Sequence, residues 1–557
     1  MRRAPGGVPS AHRDGFARAL LPPPEALPAF DFSASNLADY PDRLNAAEVL
    51  LAGIDADGSA AQPAFHFENS TWTFAQLADR VDRIARVLVE DFGLIPGNRV
   101  LLRSGNSPMF VACWLAVLKA GGICVATMPL LTSDELAFIC NRVAVRFALS
   151  AADLAENLEA ARARAASVER IAYFSPCGDG RPASRGAERA PACADPDLDQ
   201  LCASESGDFP AVATAADDIA LIAFTSGTTG RPKAVAHYHR DLLAIADCYP
   251  RVVPVRRGDI VSGMSSMAFL FGLAVLLIYP LRFRASVVLP TRPDPDLLLD
   301  AIARWRVTSL YGVPTAYHHL LRRIDEFDTS SLRQCASSGE HLPASIWEHW
   351  RERTGLGIAN GYGATEILST FVSTAPDEIR PELTGRPVPG YEVRLLDDDG
   401  QPVAPETPGR LAVRGPTGCR YLDDLEQQHK YVRDGWNLTS DLFVRDAAGG
   451  LRFIDRVDDI IVSSGYKISP QEVEQVLLEH GKVRECAVIG VDDATRGKRV
   501  CACVVLHDPR DASDATIRAL QEFVKLRITP YKYPREIRFL EALPRTHTGK
   551  LQRSRLR

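Results

Sequence analysis

The chain has 557 residues, a net charge of −6, 46% apolar residues and 24% charged ones. That length supplies several domains of roughly 100–200 residues each. The composition is that of an ordinary globular protein rather than a disordered or fibrous chain, and so small a charge indicates no nucleic-acid-binding surface.

Met1-Arg-Arg-Ala-Pro-Gly-Gly has no apolar run behind it and does not read as a secretory signal. Residues 1–45 are rich in Pro and Ala and read as an extended lead-in. Thr73-Phe-Ala-Gln76 is a capping box, and Phe74, Leu77, Val81, Ile84 and Leu88 follow it at helical spacing. Val100-Leu-Leu102 reads as a strand. A second helix from about Pro108 ends at Gly121-Gly122, before the strand-like Ile123-Cys-Val-Ala-Thr127. Helices alternating with apolar strands predict a mainly parallel sheet covered on both faces. Pro176–Asp197, with almost no large apolar residue, reads as a mobile surface insertion. The alternation resumes at Ile219 and runs to about Gly363. The apolar stretch Met267–Tyr279, thirteen residues long, is the longest in the chain. It falls short of the ~20 residues of a membrane helix and is expected inside a large domain.

From Gly385 to Phe453 short strands alternate with Gly/Pro/Asp turns, as in a small β-barrel or sheet subdomain. The last hundred residues read as a separate α+β domain. Its features are Ser469-Pro-Gln-Glu472 as a capping box with proline at the first helical position, strands at Ala487-Val-Ile489 and Val500–Leu506, and a helix face of Ile517, Leu520, Phe523 and Val524. There is no internal repeat. The twelve cysteines lack metal spacing; the one close pair is Cys501-Ala-Cys503, in an apolar run. They read as reduced core thiols of a cytoplasmic protein.

The most informative stretch is Thr225-Ser-Gly-Thr-Thr-Gly-Arg-Pro-Lys233, which follows the apolar run Ile219–Phe224. Gly227 and Gly230 let the backbone approach a ligand. Thr225, Ser226, Thr228 and Thr229 offer hydroxyls, Arg231 and Lys233 offer charge, and such a loop suits a polyphosphate. It is not a Walker A loop, because Pro232 precedes Lys233 and Ala234 follows it. Downstream stand Ser337-Ser-Gly-Glu340, Gly361-Tyr-Gly-Ala-Thr-Glu366, Trp436-Asn-Leu-Thr-Ser-Asp441, Asp455-Arg-Val-Asp-Asp459, Ser463-Ser-Gly-Tyr-Lys-Ile-Ser-Pro-Gln-Glu472 and Pro544-Arg-Thr-His-Thr-Gly-Lys550. Taken singly, each is a polar turn or a surface charge.

Taken in order, the string resembles the adenylate-forming superfamily of acyl-CoA synthetases, luciferases and peptide-synthetase adenylation domains, over about residues 40–557. The resemblance implies an α/β fold. A large N-terminal domain, 1–456, would comprise two α/β subdomains and a small β-barrel subdomain, followed by a small mobile α+β C-terminal domain, 457–557. It implies ATP, Mg²⁺ and coenzyme A as cofactors and a small carboxylic acid as substrate, with no nucleic acid and no membrane span; a homodimer stays open.

The implied ATP/AMP-binding residues are Thr225, Ser226, Gly227, Thr228, Thr229, Gly230, Lys233, Ser338, Gly339, Glu340, Tyr362, Gly363, Asp441 and Arg456. Within that set Tyr362 would stack on adenine and Asp441 would take both ribose hydroxyls. Thr365 would touch phosphate, Glu366 would ligate Mg²⁺, and Lys550 would meet the acyl carboxylate and the α-phosphate. Gly465, Tyr466 and Lys467 would face the site in the thioester-forming conformation, with Asp458 as the hinge. By position, the acid pocket would draw on His237, Phe269, Tyr311, Ser338, Tyr362, Ile367, Ser369 and Thr370.

Within the superfamily, Asp42-Arg-Leu-Asn45, Val125-Ala-Thr-Met-Pro129, Gly415-Pro-Thr-Gly-Cys-Arg420 and Tyr531-Lys-Tyr-Pro534 most resemble bacterial benzoate and 2-aminobenzoate CoA ligases. Those usually read Thr-Glu-x-Leu-His-Ile-Phe, whereas this chain reads Thr365-Glu-Ile-Leu-Ser-Thr-Phe371. Ser369 and Thr370 are smaller and imply a larger or wetter pocket. The alternatives are a ligase for fatty or alicyclic acids and an adenylating enzyme that loads a separate carrier protein, no carrier domain following Lys550. A nucleotide sensor is disfavoured by the presence of Lys550 and Glu366, and a P-loop phosphohydrolase by Pro232.

Overall fold

The computed structural model describes residues 8–33, 37, 39–178, 196–205, 207–225, 232–463, 466–493, 497–545 and 551–557. Two compact units emerge: residues 1–392 with 413–437, and residues 393–412 with 438–557.

The first unit realises the predicted parallel sheet twice. One sheet has six strands in the order Arg170–Phe174, Phe147–Ala151, Arg99–Arg103, Ile123–Thr127, Ile219–Thr225 and Lys233–Tyr238. All neighbours are parallel except the last pair. Its strands are mostly apolar and mostly buried because helices cover both faces. The helix Pro108–Lys119 shows the consequence: Ser107 caps it, Pro108 opens it, and every residue from Pro108 to Leu118 is buried. The other sheet has nine strands. Its centre, Ile358–Ala364, Gln334–Ser337, Ser309–Gly312, Ile260–Gly263, Ser286–Leu289 and Pro63–Phe67, is parallel. Antiparallel strands close both edges.

The Thr73/Gln76 capping box forms in both directions, and Phe74, Leu77, Val81, Ile84 and Leu88 are all buried beneath it. Met267–Tyr279 folds into a short helix and a π-helical turn inside this unit. Among the described residues no helix is long and apolar enough to cross a membrane.

The lead-in departs from expectation. It is pinned rather than merely extended, with a short helix at Phe16–Ala19. The buried Asp218 accepts from the Ser10 hydroxyl, from Ala11 N at 2.9 Å and from Arg18 Nη1 at 3.0 Å. The buried Arg99 donates to Asp14 at 2.5 Å. Two charges that the core cannot leave unpaired recruit this segment. Of the surface insertion, residues 179–195 lie outside the described residues.

Strands between residues 392 and 456 form one five-stranded sheet, and no pairing among the described residues closes it into a barrel. The C-terminal part of the second unit is α+β. Its sheet runs Tyr466–Ile468, Ile461–Ser463, Gly497–Leu506, Val483–Asp493, with Glu536–Phe539 parallel to Gly497–Leu506. Val473, Val476 and Leu477 of one helix and Leu520 and Val524 of another pack on one face. Cys501 and Cys503 lie with Leu543 and Leu556 on the other. The Ser469 half of the predicted capping box is present, whereas the Glu472 carboxylate takes the Lys532 ammonium at 2.6 Å. All the described cysteines are free.

Candidate active site

The apolar strand Ile219–Thr225 turns back into Lys233–Tyr238, with Thr225 paired to Lys233. Ser226, Gly227, Thr228, Thr229, Gly230 and Arg231 lie outside the described residues, so the structure fixes only the ends of this loop. Lys233 Nζ donates to Gln427 Oε1 at 2.7 Å and stands 5.5 Å from the centre of the Tyr421 ring.

On the other sheet, the strand Gln334–Ser337 ends at the buried Ser338 and at Gly339, whose φ of +91° suits only glycine without strain. The neighbouring strand Ile358–Ala364 carries Tyr362 and Gly363 into a 3₁₀ turn, Thr365–Ile367. Both glycines of this motif are required by close approach. A Cβ on Gly361 would lie 2.7 Å from Thr370 Cγ2, and one on Gly363 would run into the Ser369 carbonyl. A bulge between Tyr362 and Gly363 shifts the pairing and re-aims the side chains. The Tyr362 ring meets Phe371 edge-on at 5.3 Å. Segments 337–338, 361–363 and 369–370 therefore converge.

Glu366 stands on the 3₁₀ turn. The Tyr421 hydroxyl donates to its Oε1 at 2.6 Å, and Thr417 Oγ1 donates to the Ile367 carbonyl at 2.5 Å. Burial first, and then the Glu366 charge, push the Tyr421 phenol far up, so it stays a donor. Among the described residues Tyr421 is the hydrogen-bond partner seen for this carboxylate, on Oε1. Among the described residues no three His, Cys, Asp or Glu gather into a metal cage. A single carboxylate fits a hard cation that completes its shell from phosphate oxygens and water.

The residues expected around the acid divide. Ser369 and Thr370 are buried beside Ile367, and Ser369 Oγ donates to the Thr370 carbonyl at 3.0 Å. His237 is fully buried, and burial holds its imidazole down at about 4, so it is neutral at neutral pH. Next to it in charge are Asp241 and Arg420, an ion pair at 2.6 Å with no exposure on either side. Tyr311 packs into the core, where its hydroxyl accepts from Gln334 Nε2 at 3.2 Å. Phe269 is half-buried at the head of the helix Leu270–Leu273.

In the second unit, Asp441 and Arg456 face each other across an antiparallel pair, with Arg456 Nε 3.8 Å from Asp441 Oδ1. Beside them Asp455 is buried and accepts from Ser469 Oγ at 2.6 Å and from Gln471 N at 3.2 Å. Asp458 lies in the 3₁₀ turn Val457–Asp459. The backbones of Tyr466 and Lys467 pair with Ser463 and Val462. Gly465 and Lys550 lie outside the described residues.

Sequence reasoning missed Tyr421, Gln427, Thr417 and the Asp241–Arg420 pair. Residues 415–431 offer no periodicity there, and the usable signal was only that Gly415–Arg420 resembled one branch of the superfamily.

Residues 55–420 match the AMP-binding enzyme family, and residues 472–550 match the AMP-binding enzyme C-terminal domain. A benzoate–CoA ligase of Thauera aromatica is 32% identical, over 93% of this chain and 96% of its own. A 4-hydroxybenzoate–CoA/benzoate–CoA ligase of Rhodopseudomonas palustris is 33% identical, over 94% of each. Among solved structures, an anthranilate CoA ligase in complex with anthranoyl-AMP superposes with a TM-score of 0.84 at 30% identity, covering 93% of this chain and 98% of that one.

Proposed function

The chain belongs to the AMP-binding enzyme family and is an AMP-forming acid–CoA ligase for an aromatic acid, and we propose that this acid is benzoate or a ring-substituted benzoate such as 2-aminobenzoate. The reaction uses ATP and coenzyme A. The acid's carboxylate attacks the α-phosphate of ATP and expels pyrophosphate; the thiol of CoA then displaces AMP from the acyl-adenylate. The first step brings an anion to a triphosphate, so the protein's task is positioning and charge neutralisation.

The observation that carries the reading is Glu366, whose Oε1 accepts from the Tyr421 hydroxyl, just past the carboxyl end of the strand that also brings Gly361 against Ser338 and Thr370. In this reading Glu366 holds Mg²⁺, which supplies charge neutralisation at the phosphates when bound. Lys233 and the loop before it take phosphate oxygens. Tyr362 and Ser338 flank the adenine, and Asp441 with Arg456 takes the ribose. Lys550 belongs to the adenylating step, and a turn at Asp458 brings Gly465, Tyr466 and Lys467 into play for the thioester step. Ser369 and Thr370, smaller than a His-Ile pair, favour an acid with a polar or larger ring substituent.

A panel of benzoates, hydroxybenzoates, 2-aminobenzoate, cyclohexane carboxylate and medium-chain fatty acids, scored for CoA-dependent AMP release, tests this. Turnover confined to fatty or alicyclic acids would overturn the aromatic assignment. Acid-dependent ATP–pyrophosphate exchange without any thioester to CoA would favour a carrier protein as acceptor.

A further inference from the structure

Tyr421 touches both charged groups that the proposed chemistry needs. Its backbone bridges to Val235 in the strand that starts at Lys233, and the flanking Arg420 and Leu422 pair with Ala236 and Ala234 at 3.0 and 2.9 Å. Its amide donates to Gln428 Oε1 at 2.9 Å, and Gln428 Nε2 donates to the Cys419 carbonyl at 3.0 Å. Tyr431 meets its ring edge-on at 5.9 Å. The ring is thus held from the backbone, from the side and from its hydroxyl. Lys233 sits over that ring while Gln427 holds the ammonium, and the phenol occupies Glu366 Oε1. Among the described residues Lys233 and Glu366 form no ion pair with each other, although both contact this one side chain.

We propose that Tyr421 is a positioning residue that works as a spacer. It keeps the Glu366 carboxylate and the Lys233 ammonium from neutralising each other, so that each meets a partner of the ATP complex. The physical case is an exchange of partners. A carboxylate that loses a charge-assisted donor seeks another cation, and Lys233 is the cation stacked on the same ring. Once paired, the oxygen that a hard cation needs is occupied and the lysine is withdrawn from phosphate. The idea rests on the reading of Glu366 as the cation-holding carboxylate.

The test uses the full-length protein saturated with ATP and Mn²⁺ as the probe, with bound Mn²⁺ read by electron paramagnetic resonance and folding read by Tm. Tyr421→Phe removes one oxygen and keeps the ring. It should weaken Mn²⁺ binding about ten- to a hundredfold, the range for a lost hydrogen bond to a charged group, with Tm shifted by only a few degrees. Adding Lys233→Met should restore most of the lost Mn²⁺ affinity even though turnover stays low. Gln427→Leu frees the ammonium without touching the phenol and should weaken Mn²⁺ binding in the same direction, whether or not Tyr421→Phe folds. Glu366→Gln is the control. If Glu366→Gln loses Mn²⁺ and neither Tyr421→Phe nor Gln427→Leu does, the spacer idea is overturned and the cation-site reading stands. If Tyr421→Phe weakens binding and Lys233→Met does not restore it, the spacer idea also fails. If Glu366→Gln binds Mn²⁺ normally, the reading beneath it fails.

Discussion

Removing the Asp241 carboxylate should destabilise the first unit by about 3–5 kcal/mol, the usual cost of breaking a fully buried pair from one side. Asp241 and Arg420 have no exposed side-chain surface and meet at 2.6 Å. Asp241 Oδ2 also accepts from Tyr238 N at 3.0 Å, capping the helix His239–Cys248. Asp241→Ala would leave the guanidinium with a long contact to the Gly418 carbonyl, 3.4 Å, and with the faces of Tyr238 and Phe30 at 3.8 and 4.5 Å. Those faces are worth about 2 kcal/mol when desolvated, too little to replace the carboxylate. Asp241→Leu with Arg420→Met removes both charges, so the double variant should lose less than Asp241→Ala alone; the cap, worth about 1 kcal/mol, is lost in both. All six tryptophans lie in the first unit, so urea unfolding followed by tryptophan fluorescence reads it. A loss below about 1 kcal/mol in Asp241→Ala, or a double variant as unstable as the sum of the singles, would refute the argument.

Lys550→Ala should lose acid-dependent ATP–pyrophosphate exchange by at least about a thousandfold, ~4 kcal/mol of barrier, yet convert supplied acyl-adenylate and CoA to thioester at near the native rate; equal loss of both halves counts against the two-conformation account. Asp441→Ala should weaken ATP binding about tenfold, ~1.4 kcal/mol, in a calorimetric titration, with the Mg²⁺ dependence unchanged. Ser369→His with Thr370→Ile should shift kcat/KM toward unsubstituted benzoate by about tenfold or more, the scale of filling a pocket by a few heavy atoms; an unchanged acid profile would mean the two side chains do not border the acid. Burial holds the His237 and His239 imidazoles at about 4 and about 3. Folding therefore excludes protons that the unfolded chain binds below ~6.5, and stability should fall as pH drops from there toward 4, by up to ~1.4 kcal/mol per pH unit for each histidine; His239→Gln should flatten that slope in urea titrations at stepped pH.

What the sequence could and could not disclose follows from the range of each interaction. The Thr73 capping box, the helix at Pro108 and the strand at Ile219 are local, and their signals lie within a few residues. Gly361 and Gly363 were legible because close backbone approach leaves glycine as its trace. The pairing of Pro63–Phe67 with Ser286–Leu289 was not, because parallel partners can lie anywhere along the chain. Nor was the anchoring of the lead-in, which depends on where Asp218 and Arg99 become buried. Tyr311 shows a subtler limit. A strand buried on both faces carries no alternation to say which way a side chain points, so the contact of the Tyr311 hydroxyl with Gln334 could not be read from motif position.

Range also explains why the residues proposed to face ATP were easier to find than the side chains that hold them. Thr225 ends a strand, and Ser338 and Glu366 follow the carboxyl ends of strands, where open α/β sheets bind ligands. That placement is set by chain order and is visible in sequence. The two sheets nevertheless need a link if Lys233, on one, and Glu366, beside the other, are to serve one triphosphate. The link is Tyr421, on an irregular segment that bridges to Val235 and donates to Glu366. An irregular segment has no period and no glycine signature, so its decisive residue looks like any other tyrosine. The carboxylate and the ammonium on either side of that phenol belong to the first unit; in the mechanism proposed above they are fixed charges set in place before ATP arrives, which is the condition for electrostatic stabilisation without reorganisation.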